Sequence, residues 1–354
     1  MPRLPERDPR PRPPLSPLHG LGGAGALSGA LEVSAVDYHT AGEPFRIVTG
    51  GVPPLAGGTI LERRRFARER LDHVRRLLVH EPRGHADMYG CFVTEPEDEG
   101  ADLGVVFFHN AGYSTACGHG TIALVTWALE AEVVRRSAPE ARVVVDVPSG
   151  RLETVARLEG GAVRSVRFRN VPAFVEVEGL LAEGLRADVA FGGAFYASVA
   201  SPLPVQPRNV PELIELGRAV KAGLEAQRPF VHPEEPELRD VYGVIFWERV
   251  DFGPPVRQRN VTVFADGEVD RSPCGSGTSA RLALLERAGE LPRGVELVHE
   301  SVIGTEFRAR VVGDAEVAGR PAVVTEVEGS AYRTGAHEFV LDPADPLADG
   351  FLLR

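Results

Sequence analysis

Alternating apolar and polar positions open the part of the chain that is predicted to fold. The segment LEVSAVDYHTAGEPFRIVTGG alternates from Leu31 as a strand does, breaks at Gly42 and resumes as a second strand over residues 45–49. In TILERRRFARERLDHVRRLLVHEP, apolar residues recur at helical spacing until Pro82 ends the pattern. Two strands and one amphipathic helix are therefore predicted, with the arginine run 63–65 on the solvated face of that helix.

The same two periodicities continue to the C-terminus. DLGVVFFHNAGYS predicts a strand and a loop, and GTIALVTWALEAEVV predicts a helix. From Val143 onward strand-like segments dominate, interrupted by the helical patterns VPELIELGRAVKAGLEAQ and SARLALLERAGEL. The tail RARVVGDAEVAGRPAVVTEVEGSAYRTGAHEFVL alternates as hairpin strands do. Strands and helices are mixed along the whole length, which predicts an α/β (α+β) fold.

One short phrase occurs twice in the chain. TACGHGTIAL (115–124) and SPCGSGTSARLAL (272–284) share Cys-Gly-x-Gly-Thr-x-Ala, and each follows a strand pattern and leads into a helix pattern. A repeated unit of this kind indicates an internal duplication. We therefore expect two related halves, each with one copy of the phrase.

A length of 354 residues suits two domains of ordinary size. We predict a disordered Pro/Arg-rich extension over residues 1–30. The first domain is predicted over residues 31–160 together with the C-terminal segment 335–354, and the second over residues 161–334.

Charge and cysteine usage narrow the class of partner. The chain has 39 basic and 50 acidic residues, a net charge of −11, which argues against nucleic acid and anionic membranes but not against a small substrate. No apolar run reaches the about 20 residues of a membrane span, and the N-terminus lacks the apolar core of a secretory signal. Three cysteines form no disulfide framework, so a cytoplasmic location with free thiols is expected. The oligomeric state stays open, with a homodimer among the options.

Each copy of the phrase combines an anion site with a reactive thiol. Backbone N–H groups at a glycine-rich helix start are unpaired and lie at the positive end of the helix dipole, where a cysteine is expected to have a lowered pKa. Two such thiols facing one another across a cleft, Cys117 and Cys274, suit inversion of an α-carbon, because one removes the α-proton and the other returns a proton to the opposite face. This scheme needs no metal or organic cofactor. Charge on the substrate carboxylate would be stabilised by the first N–H groups of both helices, those of Gly118, His119, Gly275 and Ser276.

Three segments resemble the signatures of the proline racemase family: DYHTAGEPFRIVTGG, ACGHGTIAL and DGEVDRSPCGSGTSA. That family contains proline racemases, hydroxyproline 2-epimerases and trans-3-hydroxy-L-proline dehydratases. The resemblance implies a diaminopimelate-epimerase-like fold of two pseudo-symmetric domains, with the active site between them and no cofactor. It implies that Cys117 and Cys274 are the two acid/base residues. It also implies a substrate-binding set of Gly118, His119, Asp270, Gly275 and Ser276, in which Asp270 holds the ring nitrogen, as the positive charge of an ammonium requires.

The surroundings of the motifs resemble the dehydratase branch of the family, in the segments HNAGYSTACGH, FADGEVDRSP and DPADPLADGFLL. That branch usually has threonine where this chain has Cys274. Eliminating water from a 3-hydroxyproline needs one strong base on the α-face, whereas inversion needs two. The second cysteine therefore favours a cofactor-independent proline racemase or hydroxyproline 2-epimerase. Dehydration of trans-3-hydroxy-L-proline, alone or in the same enzyme, is the alternative.

A third hypothesis belongs to another class of protein. A non-catalytic amino-acid-binding or redox-sensing protein would use Cys117 and Cys274 as a switchable pair. It is disfavoured because a sensor has no need for two carboxylate cradles and an ammonium-binding Asp270. His119 lacks the cluster of partners that zinc requires, so no metal site is expected.

Several other residues have both a structural and a functional interpretation. Cys91, in the strand-like MYGCFV, is predicted to fill the core, and Asp266, in ADGE, to lie in a turn. His39 and Glu43 either line the cleft or shape the turn in DYHTAGEP. The aromatic pair of GGAFYA, residues 195–196, either closes the substrate pocket or packs at a strand end.

Overall fold

A computed structural model of the protein describes residues 31–136, 138–251 and 253–353. The predicted disordered extension, residues 1–30, lies outside the described residues. Within those ranges the chain forms seventeen β-strands and five α-helices in mixed order. The predicted α/β (α+β) class is confirmed.

The first half builds a sheet around one central helix. Its elements are β1 (Leu31–Thr40), β2 (Glu43–Gly50), α1 (Ile60–Arg70), α2 (Asp72–Val79), β3 (Tyr89–Thr94), β4 (Leu103–His109), α3 (Gly118–Glu130), β5 (Glu140–Val147), β6 (Gly150–Glu159) and β7 (Ala162–Arg169). The strands pair in chain order, with β2–β3 and β4–β5 parallel and the other pairs antiparallel. Helices α1 and α2 cross from β2 to β3, and α3 crosses from β4 to β5.

The second half repeats this topology. Its elements are β8 (Phe174–Ala182), β9 (Leu185–Phe191), β10 (Phe195–Ala200), α4 (Val210–Glu225), β11 (Val241–Asp251), β12 (Val256–Phe264), β13 (Glu268–Asp270), α5 (Gly275–Arg287), β14 (Leu297–Ser301), β15 (Glu306–Val317), β16 (Arg320–Gly329) and β17 (Ala331–Leu341). The order β9–β10–β11–β12–β14–β15–β16 has the same alternation, with β10–β11 and β12–β14 parallel and the rest antiparallel. Helix α4 takes the place of α1 and α2, and α5 takes the place of α3.

The two halves are joined edge to edge by the antiparallel pair β7–β16. Strand β8 lies on β9 as β17 lies on β1, so the C-terminal strand completes the first half of the sheet. The sheet runs without interruption across residue 160 through the pair β6–β7. The domain boundaries expected from the sequence therefore stay a prediction.

Each half wraps its sheet around a helix that is buried on every side. All residues of α3 from Gly118 to Ala128, and all residues of α5 from Gly275 to Leu285, are buried. A helix without a polar face is typical of a core position, not of a surface helix. The start of each of these helices is consequently placed deep in the molecule, where the two halves meet.

The single helix predicted between residues 59 and 82 is wrong, because α1 and α2 are separate helices. The chain leaves helical geometry at Leu71, with φ −121° and ψ 11°, and that side chain is buried. The arginine run is also placed wrongly, because Arg63 is buried and donates to the backbone oxygens of Gly57, at 3.0 Å, and Glu95. Arg65 alone of the three is exposed.

In the described part of the chain, none of the helices combines the length and the apolar character that crossing a membrane would require.

Candidate active site

The two copies of the repeated phrase meet at one pocket between the halves. The residues that line it come from both halves: Tyr89, Ala116, Cys117, Gly118, His119, Tyr196, Tyr242, Phe264, Asp270, Cys274, Gly275 and Ser276. All seven site residues predicted from the sequence are among them. The fold therefore brings together two segments that are far apart along the chain.

The starts of α3 and α5 touch through their first glycines. A Cβ atom on Gly118 would lie 2.5 Å from the Cα of Gly275, and a Cβ atom on Gly275 would lie 2.7 Å from the Cα of Gly118. The ring of Phe168, on β7, would lie 3.0 Å from the Cβ atom on Gly118 and 3.1 Å from the Cβ atom on Gly275. Neither position has room for a side chain, so the first glycine of each phrase is required by this close approach.

In each phrase, the second glycine leaves space for the cysteine sulfur, and the threonine N–H makes the first helical hydrogen bond to the cysteine oxygen. A Cβ atom on Gly120 would lie 2.6 Å from the Cys117 sulfur, and one on Gly277 would lie 2.9 Å from the Cys274 sulfur. The first helical bonds follow, from the N–H of residue 121 to the Cys117 oxygen at 2.9 Å and from the N–H of residue 278 to the Cys274 oxygen at 2.7 Å. Both cysteines are thus N-cap residues.

Cys117 has extended backbone geometry, and its sulfur accepts a hydrogen bond from the N–H of Gly120 at 3.3 Å. The same sulfur lies 3.5 Å from Nε2 and 3.7 Å from Nδ1 of His119. Burial, assisted by the positive charge of Arg271, lowers the pKa of His119 to about 3. The imidazole is therefore neutral at physiological pH, and its 3.8 Å contact with Asp270 is not an ion pair.

Cys274 is held differently, although its place in the repeat is the same. Its φ of 64° with ψ of 102° is a conformation that side-chain-bearing residues seldom adopt, so the backbone is strained there. Its N–H donates to the hydroxyl of Ser272 at 3.2 Å, and its thiol lies 3.8 Å from the hydroxyl of Tyr196. That tyrosine hydroxyl is in turn 2.7 Å from Oγ of Ser276. The two thiols therefore have different surroundings.

The expectation that the helix starts lower the pKa of both thiols is wrong for this buried pocket. Burial raises the pKa of Cys117 well above its ordinary value, against the lowering effect of the Gly120 N–H. Burial also raises the pKa of Cys274, and the neighbouring Asp270 raises it further. Desolvation disfavours the thiolate more than the helix start favours it.

Asp270 supplies buried negative charge to the pocket. It ends β13, and its Oδ1 accepts the N–H of Ser272 at 2.8 Å. Burial raises the pKa of Asp270 to about 6, while hydrogen bonds from Ser272 and Cys274 and the charge of Arg271 act in the opposite direction. The carboxyl group is therefore ionised at neutral pH, and a buried anion of this kind favours a cationic partner.

Aromatic side chains that sequence reasoning missed form much of the pocket wall. The hydroxyls of Tyr89, on β3, and Tyr242, on β11, lie 2.9 Å apart and so connect the two halves. The ring of Phe264 is stacked on Tyr242 with centroids 5.5 Å apart. Single aromatic residues within strand patterns look like core positions in a sequence, so no signal distinguished these three.

For the aromatic pair of GGAFYA, each interpretation holds for one residue. Tyr196 lines the pocket, whereas Phe195 packs in the core against Phe174 and Phe191. Cys91 is fully buried in the core, as predicted.

The remaining polar candidates also have defined places. The predicted turn at Asp266 is confirmed. His39 has the turn role, because its Nδ1 accepts the N–H of Gly42 at 3.2 Å. Glu43 is absent from the pocket wall and lies buried, close enough to Asp270 for that charge to raise its pKa. Among the described residues, no three His, Cys, Asp or Glu side chains are grouped so as to hold a metal ion.

Two halves of like topology, with a pocket between the starts of their central helices, define the diaminopimelate-epimerase-like fold. A PhzF-family phenazine biosynthesis protein from Bacillus anthracis shares this fold, with a TM-score of 0.54 and 14% sequence identity over 87% of this chain and 98% of that chain. The predicted fold is confirmed.

Within this fold class, the family model for proline racemase matches residues 35–352, and the chain belongs to the proline racemase family. It is 47% identical to a 3-hydroxyproline 2-epimerase of Burkholderia multivorans and 48% identical to a trans-3-hydroxy-L-proline dehydratase of Burkholderia ambifaria, in each case over 91% of this chain and 98% of the relative. The crystal structure of a hydroxyproline epimerase from Agrobacterium vitis with bound trans-4-hydroxy-L-proline has a TM-score of 0.85 and 31% identity, covering 91% of this chain and 96% of that chain.

The glycine contact between the helix starts can be tested by adding one methyl group. We expect Gly118→Ala to lower the free energy of unfolding by about 1–3 kcal/mol, because the new Cβ overlaps the backbone of Gly275. Urea denaturation measures this change. Gly313→Ala is the control, since its Cβ would lie an ordinary 3.8 Å from Val324. If Gly118→Ala is as stable as Gly313→Ala, the two helix starts are not in contact.

Proposed function

We propose that the protein is a cofactor-independent racemase or 2-epimerase of proline or a hydroxyproline, in which Cys117 and Cys274 exchange the α-proton. The observation that carries this proposal is that two thiols, at equivalent positions of two related halves, line one pocket. Inversion of a carbon atom requires a proton carrier on each of its faces, and like residues suit the task because each is base in one direction and acid in the other.

The substrate carboxylate fits the place where the two helix starts meet. The first N–H groups of a helix are not used in helical hydrogen bonds, and both helix dipoles direct their positive ends to the same region. The cradle that we propose consists of the backbone N–H groups of Gly118, His119, Gly275 and Ser276. The substrate nitrogen, as a secondary ammonium, fits beside the ionised Asp270.

The proposed reaction moves one proton through the α-carbon. A thiolate removes the α-proton and becomes a thiol, and the electron pair left behind is stabilised through the carboxylate in its cradle. The opposite thiol then delivers its own proton to the other face and becomes the thiolate. Burial raises the pKa of both thiols, and the substrate ammonium acts in the opposite direction, so that a thiolate can form in the occupied pocket.

The named activities of the relatives support the substrate class. The relative from Burkholderia multivorans is a 3-hydroxyproline 2-epimerase, and the protein from Agrobacterium vitis was crystallised with trans-4-hydroxy-L-proline. A pocket wall that contains the hydroxyl groups of Tyr89, Tyr196 and Tyr242 suits a substrate whose ring has a hydroxyl group of its own.

Dehydration of trans-3-hydroxy-L-proline is the second candidate, and the 48% identity to the Burkholderia ambifaria dehydratase favours it. The first step, removal of the α-proton by a thiolate, is the same. The 3-hydroxyl group then takes up the proton from that thiol and leaves as water while the C2–C3 double bond forms, and the cyclic enamine tautomerises to the imine. This route uses a single thiol on the α-face, so Cys274 distinguishes the two reactions.

The two-thiol reaction can be tested in D₂O. We expect the wild-type enzyme, given L-proline or an L-hydroxyproline, to introduce deuterium at the α-carbon with inversion, as followed by proton NMR and optical rotation. Cys274→Ser should lower the rate of inversion by at least about 100-fold, because a general acid/base residue is lost. Cys91→Ala removes the remaining thiol, which does not line the pocket, and should invert at the wild-type rate. Inversion by Cys274→Ser at the wild-type rate would rule out the two-thiol reaction.

The elimination route makes the opposite prediction for the second cysteine. If the protein dehydrates trans-3-hydroxy-L-proline, Cys117→Ser should abolish formation of the imine, whereas Cys274→Thr should retain it, because the second thiol takes no part in elimination. Mass spectrometry, which detects the loss of water, measures the product. Absence of the imine from wild-type reactions with this substrate would exclude dehydration.

Binding of the substrate nitrogen should depend on the ionisation of Asp270. Because a carboxyl group loses its charge as the pH falls through its pKa, we expect the Kd for L-proline to rise about tenfold for each pH unit below about 6. Calorimetry on the variant Cys117→Ser/Cys274→Ser measures this without turnover or thiol ionisation. In the same background, Asp270→Asn should bind weakly at every pH. A Kd that stays constant down to about pH 4.5 would contradict the role of Asp270.

A further inference from the structure

The short strand that ends in Asp270 is held by side chains from the other half of the molecule. Strand β13 has only three residues and pairs on one side with β12. On its other side lie two acidic residues of the first half, Glu43 at the start of β2 and Asp87 just before β3.

These two carboxylates take the place of a neighbouring strand. Oδ1 of Asp87 accepts the N–H of Val269 at 3.2 Å, and Oε2 of Glu43 accepts the N–H of Arg271 at 2.7 Å. Residues i and i+2 of a strand direct their N–H groups to the same side, where another strand would supply carbonyl oxygens. The residues on both sides of Asp270 are therefore fixed to the first half.

The guanidinium of Arg271 strengthens both connections. Its Nη1 lies 3.3 Å from Oε2 of Glu43, and its Nη2 lies 3.3 Å from Oδ2 of Asp87. A third connection begins at Glu268, whose Oε1 accepts the N–H of Ala111 at 2.8 Å. All these contacts cross between the halves.

Placing the Glu43 carboxyl group at this position lowers the stability of the fold. It has no exposed surface, and burial, together with the charge of Asp270, raises its pKa well above the usual range, while Arg271 acts in the opposite direction. In the part of the chain that the structure describes, its Oε1 has no hydrogen-bond partner. A buried and half-satisfied carboxyl group lowers stability. Its hydrogen bonds lead to the residue next to Asp270, which indicates a role in the site.

We infer that Glu43 is a positioning residue: by holding Arg271 it fixes the Asp270 carboxylate for the substrate nitrogen and ties it to the half that carries Cys117. This inference rests on the proposed function, which gives Asp270 its ligand. Glu43 does not line the pocket and does not touch substrate. Its removal leaves both thiols and the helix starts unchanged, so it weakens binding more than it slows proton transfer.

Steady-state kinetics of three variants test the inference. Glu43→Ala should raise KM for the substrate by about tenfold or more, the equivalent of one charge-assisted hydrogen bond, with a smaller fall in kcat. Glu43→Gln should stay within about threefold of wild type, because its amide oxygen still accepts the Arg271 N–H. Glu32→Ala, which removes an exposed acidic side chain of β1, is the matched control and should not change either constant. A merely structural role would reduce the folded fraction and leave KM of the folded enzyme unchanged.

Hydrogen–deuterium exchange of the ligand-free protein gives a readout that does not depend on activity. The peptide covering residues 264–274 should exchange faster in Glu43→Ala than in wild type, and at the wild-type rate in Glu43→Gln. If Glu43→Ala does not fold, Glu43→Asp replaces it, since the shorter side chain withdraws the carboxylate from Arg271.

The outcomes separate the two proposals. A wild-type enzyme that neither inverts nor dehydrates overturns the proposed function, while the exchange rates still show whether Glu43 holds the strand. Wild-type KM and wild-type exchange in Glu43→Ala overturn the positioning role. Equal damage by Gln and Ala also overturns it, because the bond to the Arg271 N–H is then not what matters.

Discussion

The contact between Gly118 and Gly275 is the constraint on which the rest of the structure depends. Because neither position can hold a side chain, the starts of α3 and α5 meet and bring both N-cap cysteines to one pocket. Each helix then runs away from the contact through the middle of its own half, so it is buried on every side. A helix buried on every side needs a sheet around it, and the repeated strand pairing supplies one such sheet in each half.

The two helix starts of the site are repeated, but the backbone geometry of the cysteines and the side chains around them are not. Cys117 has extended geometry beside a neutral His119, whereas Cys274 has a positive φ and lies near Tyr196. The residue between the two glycines is histidine in one phrase and serine in the other, and Asp270 has no counterpart in the first half of the pocket wall. In the proposed reaction the proton carriers come from both halves, while the anchor for nitrogen comes from one.

The sequence predicted what depends on local pattern and missed what depends on pairing between distant segments. The phrase Cys-Gly-x-Gly-Thr contains its own helix start, so it predicted both the duplication and six of the seven predicted residues that meet at the pocket. The seventh, Asp270, lies outside the phrase and was expected from the family resemblance. The pocket aromatics Tyr89 and Tyr242, the buried Arg63 and the carboxylate of Glu43 owe their places to contacts across the sheet or between the halves. The pKa of the thiols was missed for the same reason, since both cysteines are desolvated by burial where the two halves meet.

The burial of the pocket wall, in which Tyr242 is the one described lining residue that is not fully buried, has a kinetic consequence. A substrate bound against this wall contacts protein groups more than bulk water. In the proposed reaction, a hydrogen taken by one sulfur is therefore slow to exchange with solvent. The share of substrate hydrogen that survives repeated catalytic cycles, against the share lost to solvent, would measure how well the pocket wall keeps water from the two sulfurs.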